Sequence, residues 1–233
     1  MAGRDYDFVL TGGQPVAPFL KPYKIDFLLS TDIADVQSAI DLGIAAAVIS
    51  PPPSGTEPDP RKLRFCFDFD GVLASEESDR LFAETMEKAG AAEAVKVYLE
   101  NETRNVNVPM KDGPFAPFLR KLAKLQATAK DTIPIEISIL TARGGMALER
   151  ALRTFESWGI NPDNLMTFTT SRPKRVQKVE VLTIMNPDIF LDDTQKHIDL
   201  AAASTPSGKV PWPMKKPEAP APAVKPQNNQ PRP

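Results

Sequence analysis

The segment Asp68-Phe69-Asp70-Gly71-Val72 sets two carboxylates one residue apart at the exit of an apolar run, Leu63 to Phe67. Alternate residues of a strand share a face, and where the strand frays into a glycine loop both acids can turn into one crevice. Crowded carboxylates repel, so such a pocket calls for a cation, and an all-oxygen donor set favours magnesium. The same pair suits phosphoryl transfer, with Asp68 as nucleophile and Asp70 as proton carrier.

Three more positions follow apolar runs: Thr141, Lys174 (in the loop after Thr169-Thr170) and the doublet Asp192-Asp193. Singly, each has an ordinary explanation. Thr141 could cap a helix, Lys174 could be solvated surface charge, and the doublet could cap the helix starting near Thr194. Together, and in this order, their roles are complementary. Magnesium would be held by the Asp68 side chain, the Asp70 backbone carbonyl and Asp193, with Asp192 as a ligand or just behind it. Thr141 and the amides after Asp68 would hydrogen-bond phosphate oxygens. Lys174 would neutralise phosphate charge and orient Asp68.

The elements that must position these groups alternate. Tyr6 to Leu10, Ile25 to Leu29, Ile44 to Ile49, Leu63 to Phe67, Ile135 to Leu140, Leu165 to Phe168 and Asp188 to Leu191 read as short buried strands. Helical patterns lie between: Ile33, Val36, Ile40; about Glu76 to Asn101; Phe115 to Leu125 behind Gly113-Pro114; and Ala147 to Trp158 stopped by Gly159. This alternation predicts an α/β fold with a doubly wound, mostly parallel sheet, whose ligands sit outside the carboxyl ends of the strands.

The 233 residues, 42% apolar, suffice for one core with an appendage. A net charge of −2 calls for neither nucleic acid nor an anionic membrane. The single cysteine, Cys66, excludes an intramolecular disulfide and reads as a buried strand residue, and the single histidine, His197, excludes multi-histidine metal sites. No apolar run is long enough to span a bilayer and no signal-peptide pattern opens the chain, so the expectation is a soluble cytoplasmic protein. The 24 prolines cluster: Ser50 to Arg61 reads as a stiff linker and Thr205 to Pro233 as a disordered tail. Residues 1–61 thus form an N-terminal βαβ-like unit with its linker, and 62–204 the core, with a cap insertion at about 75–132. An internal echo supports the first unit. Phe27-Leu28 with Ile40-Asp41-Leu42 runs parallel to Phe190-Leu191 with Ile198-Asp199-Leu200, and Ser30-Thr31-Asp32 stands where the later copy has its acidic doublet.

The four elements resemble the motifs of the haloacid-dehalogenase superfamily of phosphohydrolases. At finer grain, Phe65 to Ser78 resembles the cytosolic type I 5'-nucleotidase family. So do Gly113-Pro114 with Phe118-Leu119, Leu140-Thr141-Ala142-Arg143, Ser157-Trp158-Gly159, Pro173-Lys174 and Ile189 to Asp193. The family usually has a glycine where this chain has Phe69, so a bulky side chain there would narrow the approach to the site. The family also carries a segment upstream of the matched region, which makes the N-terminal unit a partial repeat. The resemblance implies a magnesium-dependent 5'-nucleotidase acting on purine nucleoside monophosphates such as AMP and IMP through an aspartyl-phosphate. Its implied catalytic set is Asp68, Asp70, Thr141 and Lys174, and its substrate-binding set Phe69, Gly71, Thr141, Ala142, Arg143 and Lys174. Arg143 could equally be a salt-bridge arginine, and Leu99 to Glu102 either touch nucleoside or end a polar helix. Two alternatives stay open: a phosphatase of the same superfamily for another small ester, and a nucleotide-binding module without turnover. A homo-oligomer is also open.

Overall fold

The computed structural model describes residues 11–51, 53, 59–129, 132, 134–168 and 177–211. Its centre is a seven-stranded sheet of β1 (Phe27–Ser30), β2 (Ala45–Ile49), β3 (Leu63–Phe67), β4 (Ile135–Thr141), β5 (Asn164–Thr167), β6 (Ile189–Asp192) and β7 (Ser207–Lys209), in the order β1-β2-β7-β6-β3-β4-β5. Every neighbouring pair is parallel except β2 with β7. Strands β3 to β7 therefore run one way, and β1 and β2 the other.

Both faces are covered, as a parallel sheet requires. Period-two alternation assigns the side chains. Phe65 and Phe67 of β3, Ile135, Ile137 and Ile139 of β4, and Leu191 of β6 enter one apolar cluster. The intervening Cys66, Leu140 and Phe190 enter the other. The helices, in chain order, are α1 (Ala17–Leu20), α2 (Ile33–Asp41), α3 (Glu77–Ala89), α4 (Ala91–Arg104), α5 (Ala116–Ala129), α6 (Met146–Trp158), α7 (Lys178–Met185) and α8 (Gln195–Ala201). Val36 and Ile40 of α2, Leu119 and Leu122 of α5, and Ala151 and Phe155 of α6 fill the first cluster. Leu182 of α7 and Ile198 of α8 fill the second.

The expected strand at Tyr6 to Leu10 lies outside the described residues, as does part of the Ser50–Arg61 linker. Two expectations are corrected. The cap insertion is shorter than 75–132, because α5 packs Leu119 and Leu122 into the core, with Phe115 just ahead of it, and supplies the crossover that the parallel β3–β4 pair needs. The helical segments expected within it are α3 and α4, which meet at Gly90 (φ +83°). The tail does not begin at Thr205: Thr205, Ser207 and Val210 are buried, and β7 is inserted between β6 and β2. Its Gly208 leaves no room for a side chain, since a Cβ would lie 2.9 Å from Leu191 Cδ2 and 3.0 Å from the Ala47 methyl. Trp212 and everything after it lie outside the described residues.

The internal echo has a spatial counterpart. Units β1-α2-β2 and β6-α8-β7 lie side by side in the order β1-β2-β7-β6 and run in opposite directions across the antiparallel β2–β7 pair. Ser30-Thr31-Asp32 therefore sits at the opposite end of the sheet from Asp192-Asp193. There Asp32 caps α2, accepting from the amides of Ala34 and Asp35.

Candidate active site

Strands β3, β4 and β6 are adjacent and parallel, so their carboxyl ends deliver Asp68, Thr141 and Asp192-Asp193 to one crevice. The turn after β3 is anchored by its apolar residues: Phe69, Val72 and Leu73 are fully buried, and the Leu73 and Ala74 amides return to the Phe69 carbonyl at 2.9 and 2.8 Å. Phe69 does not narrow the approach to the site. Its ring is packed inward, 5.3 Å from that of Phe155. Its amide donates to Asp68 Oδ1 at 2.9 Å. Gly71 (φ +70°) brings the backbone so close to Asp193 that a Cβ would lie 2.3 Å from Oδ2.

Lys174 lies outside the described residues. The lysine seen on the nucleophile candidate is Lys178, whose Nζ is 2.8 Å from Asp68 Oδ2 and 2.6 Å from Asp192 Oδ2. A capping box fixes it as the first residue of α7: the Gln177 amide donates to Glu180 at 3.0 Å, and the Gln177 side chain accepts in return. That Gln-x-x-Glu pattern before an apolar run was the signal that could have found it. Burial opposes its charge, but Asp68 and Asp192 outweigh burial and keep it protonated beyond the usual lysine range.

Asp192 is saturated. Besides Lys178 it accepts from the Thr194 amide at 2.7 Å and faces His197 Nδ1 at 3.0 Å. Burial pushes it up, but His197 and Lys178 hold it below the ordinary carboxylate range. His197, half-buried and edge-on to Phe168, thus has a specific partner that sequence reasoning did not foresee. Asp68 is driven well above its usual value, by burial first and, against the pull of Lys178, by Asp192 and Asp193. Asp193 rises to about 6 through burial and then the Asp192 charge. Asp79, on the first turn of α3, keeps much of its surface in solvent, yet burial of its carboxyl against the crevice, then Asp70 and Asp193, raise it to about 7.

Burial is the main cause of all three rises and carboxylate repulsion adds to it, so a cation in the crevice would favour the ionised acids. The ligand atoms of Asp68, Asp192 and His197 lie within 4.8 Å of one another. With Asp192 already committed, Asp68 and Asp193 are the better oxygen donors, and the set fits a divalent cation. Thr141 is buried, and its hydroxyl accepts from the Arg143 amide at 3.2 Å. Ala142 is exposed in the same loop.

Arg143 is a buried salt-bridge arginine here. It grips both oxygens of Asp70, Nε to Oδ2 at 2.8 Å and Nη2 to Oδ1 at 2.6 Å, while Nη1 donates to Glu102 Oε2 at 2.7 Å. Glu102, at the polar end of α4, has no exposed surface. It also accepts from Ser78 Oγ at 2.7 Å and Arg150 Nη1 at 3.2 Å. Burial alone would raise it, but Arg143, Ser78 and Arg150 hold it below its ordinary value. Cys66 is buried, with burial pushing its thiol up, as expected of a strand residue.

The 5'-nucleotidase family model matches residues 6–217. The chain belongs to the 5'-nucleotidase family. It is 31% identical over 198 residues to human cytosolic 5'-nucleotidase 1B, a match covering 82% of this chain and 30% of that protein. The chain thus spans less than a third of that relative's length. Two solved structures of Pnkp1/Rnl/Hen1 RNA-repair assemblies are similar at 15% and 16% identity, with TM-scores of 0.44 and 0.45, covering 72% of this chain and 52% and 48% of theirs. Among the described residues no helix is long and apolar enough to cross a membrane.

Proposed function

We propose that this chain is a magnesium-dependent 5'-nucleotidase that hydrolyses nucleoside 5'-monophosphates, of the AMP and IMP kind, to nucleoside and phosphate. The observation that carries the reading is a buried Asp68 at the carboxyl end of β3, paired with Lys178 and crowded by Asp192 and Asp193. In the reaction, an Asp68 oxygen attacks phosphorus as the bond to the ribose O5′ breaks, giving an acyl phosphate. Asp70 gives its proton to O5′. Asp70 then takes a proton from water, whose oxygen attacks the acyl phosphate and frees inorganic phosphate with the Asp68 carboxylate restored. Lys178 balances charge on Asp68 and the phosphate, and Thr141 with the loop amides holds phosphate oxygens. Asp68, the Asp70 carbonyl and Asp193 would hold the magnesium ion, which supplies positive charge to the phosphate when bound.

The test is phosphate release from AMP and IMP, with magnesium and with chelator. Asp68→Asn should abolish it. Magnesium-dependent turnover that survives this change would overturn the nucleophile assignment, and preference for sugar phosphates over nucleotides would overturn the substrate class.

A further inference from the structure

Resting on that reading, we infer that Glu102 is a positioning residue for proton delivery: from the insertion it aims the Arg143 fork, and through it Asp70, at the leaving oxygen. The path is continuous and short. Asp70 is held by two of the guanidinium nitrogens, at 2.8 and 2.6 Å. The third nitrogen is held by Glu102 at 2.7 Å and by the Ala147 carbonyl at 3.3 Å. A planar fork with all three nitrogens engaged has no rotational freedom left, so the orientation of Asp70 is tied to that of Glu102.

Glu102 is itself fixed from outside the catalytic loops. Ser78 of α3 and Arg150 of α6 both donate to Oε1, and Asn101 adds a contact at 3.3 Å. Arg150 extends the network to the Val108 carbonyl at 2.9 Å and to Glu77 Oε1 at 3.3 Å. Helices α3 and α4 of the insertion are thereby wired to the turn that carries Asp70. Side chains on this path are almost fully buried: 1% exposed for Arg143, 4% for Arg150, none for Glu102. A buried carboxylate with two arginines costs desolvation energy that an apolar trio would avoid, so stability alone does not account for it. Orientation of a group that moves a proton does.

The experiment separates positioning from packing by leaving group. Proton delivery matters for the alkoxide of AMP and little for 4-nitrophenolate, which leaves unprotonated. Single-turnover release of each leaving group is measured for wild type, Glu102→Gln and Arg150→Lys. Glu102→Gln should slow adenosine release roughly 10- to 100-fold, part of the 10²–10⁴ that a placed acid supplies, and slow 4-nitrophenolate release less than about threefold. Arg150→Lys, which loosens the other donor to Glu102 Oε1 without touching Asp70, should show the same skew at smaller size. Ser78→Ala, a milder loosening of Glu102, should show the same skew at smaller size if Glu102→Gln does not fold. Equal slowing of both esters by Glu102→Gln, or by Ser78→Ala in its place, overturns the inference and leaves the nucleotidase reading standing. A wild-type protein inactive on both overturns that reading and this inference with it.

Discussion

Gly71 offers the sharpest test of how the site is built. Gly71→Ala places a methyl carbon where the structure leaves 2.3 Å to Asp193 Oδ2 and 2.6 Å to its Cγ. Two costs follow. Holding alanine at φ +70° costs about 1–2 kcal/mol. The Asp193 side chain must also swing away, loosening its contact with the Thr194 hydroxyl at 3.3 Å. Gly159→Ala calibrates the first cost, because Gly159 is left-handed (φ +66°, ψ +30°) with nothing within 4 Å of a built Cβ. In a chain of this size the backbone cost alone should lower Tm by roughly 2–8 °C, the figure expected of Gly159→Ala. Gly71→Ala should fall further. It should also raise the magnesium concentration needed for half-maximal thermal stabilisation by about 10- to 100-fold, the loss typical of disturbed metal surroundings. Differential scanning fluorimetry across a magnesium titration reads both. If Gly71→Ala matches Gly159→Ala in Tm and keeps the wild-type magnesium midpoint, Asp193 is not the donor that the crevice makes it.

Lys178→Met should remove the cation shared by Asp68 and Asp192, costing about 3–5 kcal/mol as breakage of a buried pair; magnesium should recover part of the lost Tm, and phosphate release should stay at least about 100-fold down. A Tm close to wild type in chelator would contradict the pairing. The metal-free protein should lose stability as pH rises from 4 to 7. Asp193 moves from 3.8 to about 6 and Asp79 from 3.8 to about 7 on folding, so the native state binds more protons than the unfolded chain in that window and the slope of stability against pH is negative. Magnesium should flatten that slope, and a rising apo Tm between pH 4 and 7 would count against the crowded crevice. Cys66, buried and pushed upward, should react with a thiol reagent only at the rate of unfolding, and fast labelling of native protein would refute its placement.

The strands that deliver the acids were legible because they are apolar runs ending in carboxylates or threonine: β3, β4 and β6 fall within a residue or two of where the pattern puts them. What escaped has physical reasons. Helix α7 carries Val179, Val181, Leu182, Ile184 and Met185 on all sides, so no stripe announces it, and with it went Lys178. Strand β7, Ser207-Gly208-Lys209, has no strand-forming side chain; its place is decided by the close approach of β2 and β6, which only glycine allows. Glu102 ends a helix whose neighbours are polar, and nothing local distinguishes it from solvated charge. Its burial comes from Arg143 and Arg150, distant in the chain.

The antiparallel seam between β2 and β7 divides labour within one sheet. The β1-α2-β2 unit is hydrogen-bonded to β7, which separates it from the acid-bearing β6, and it opens toward the opposite pole, where Asp32 is spent on a helix cap instead of a ligand. Substitutions in that unit should register as changes in melting and expression while selectivity among phosphate esters stays fixed. It acts as a buttress.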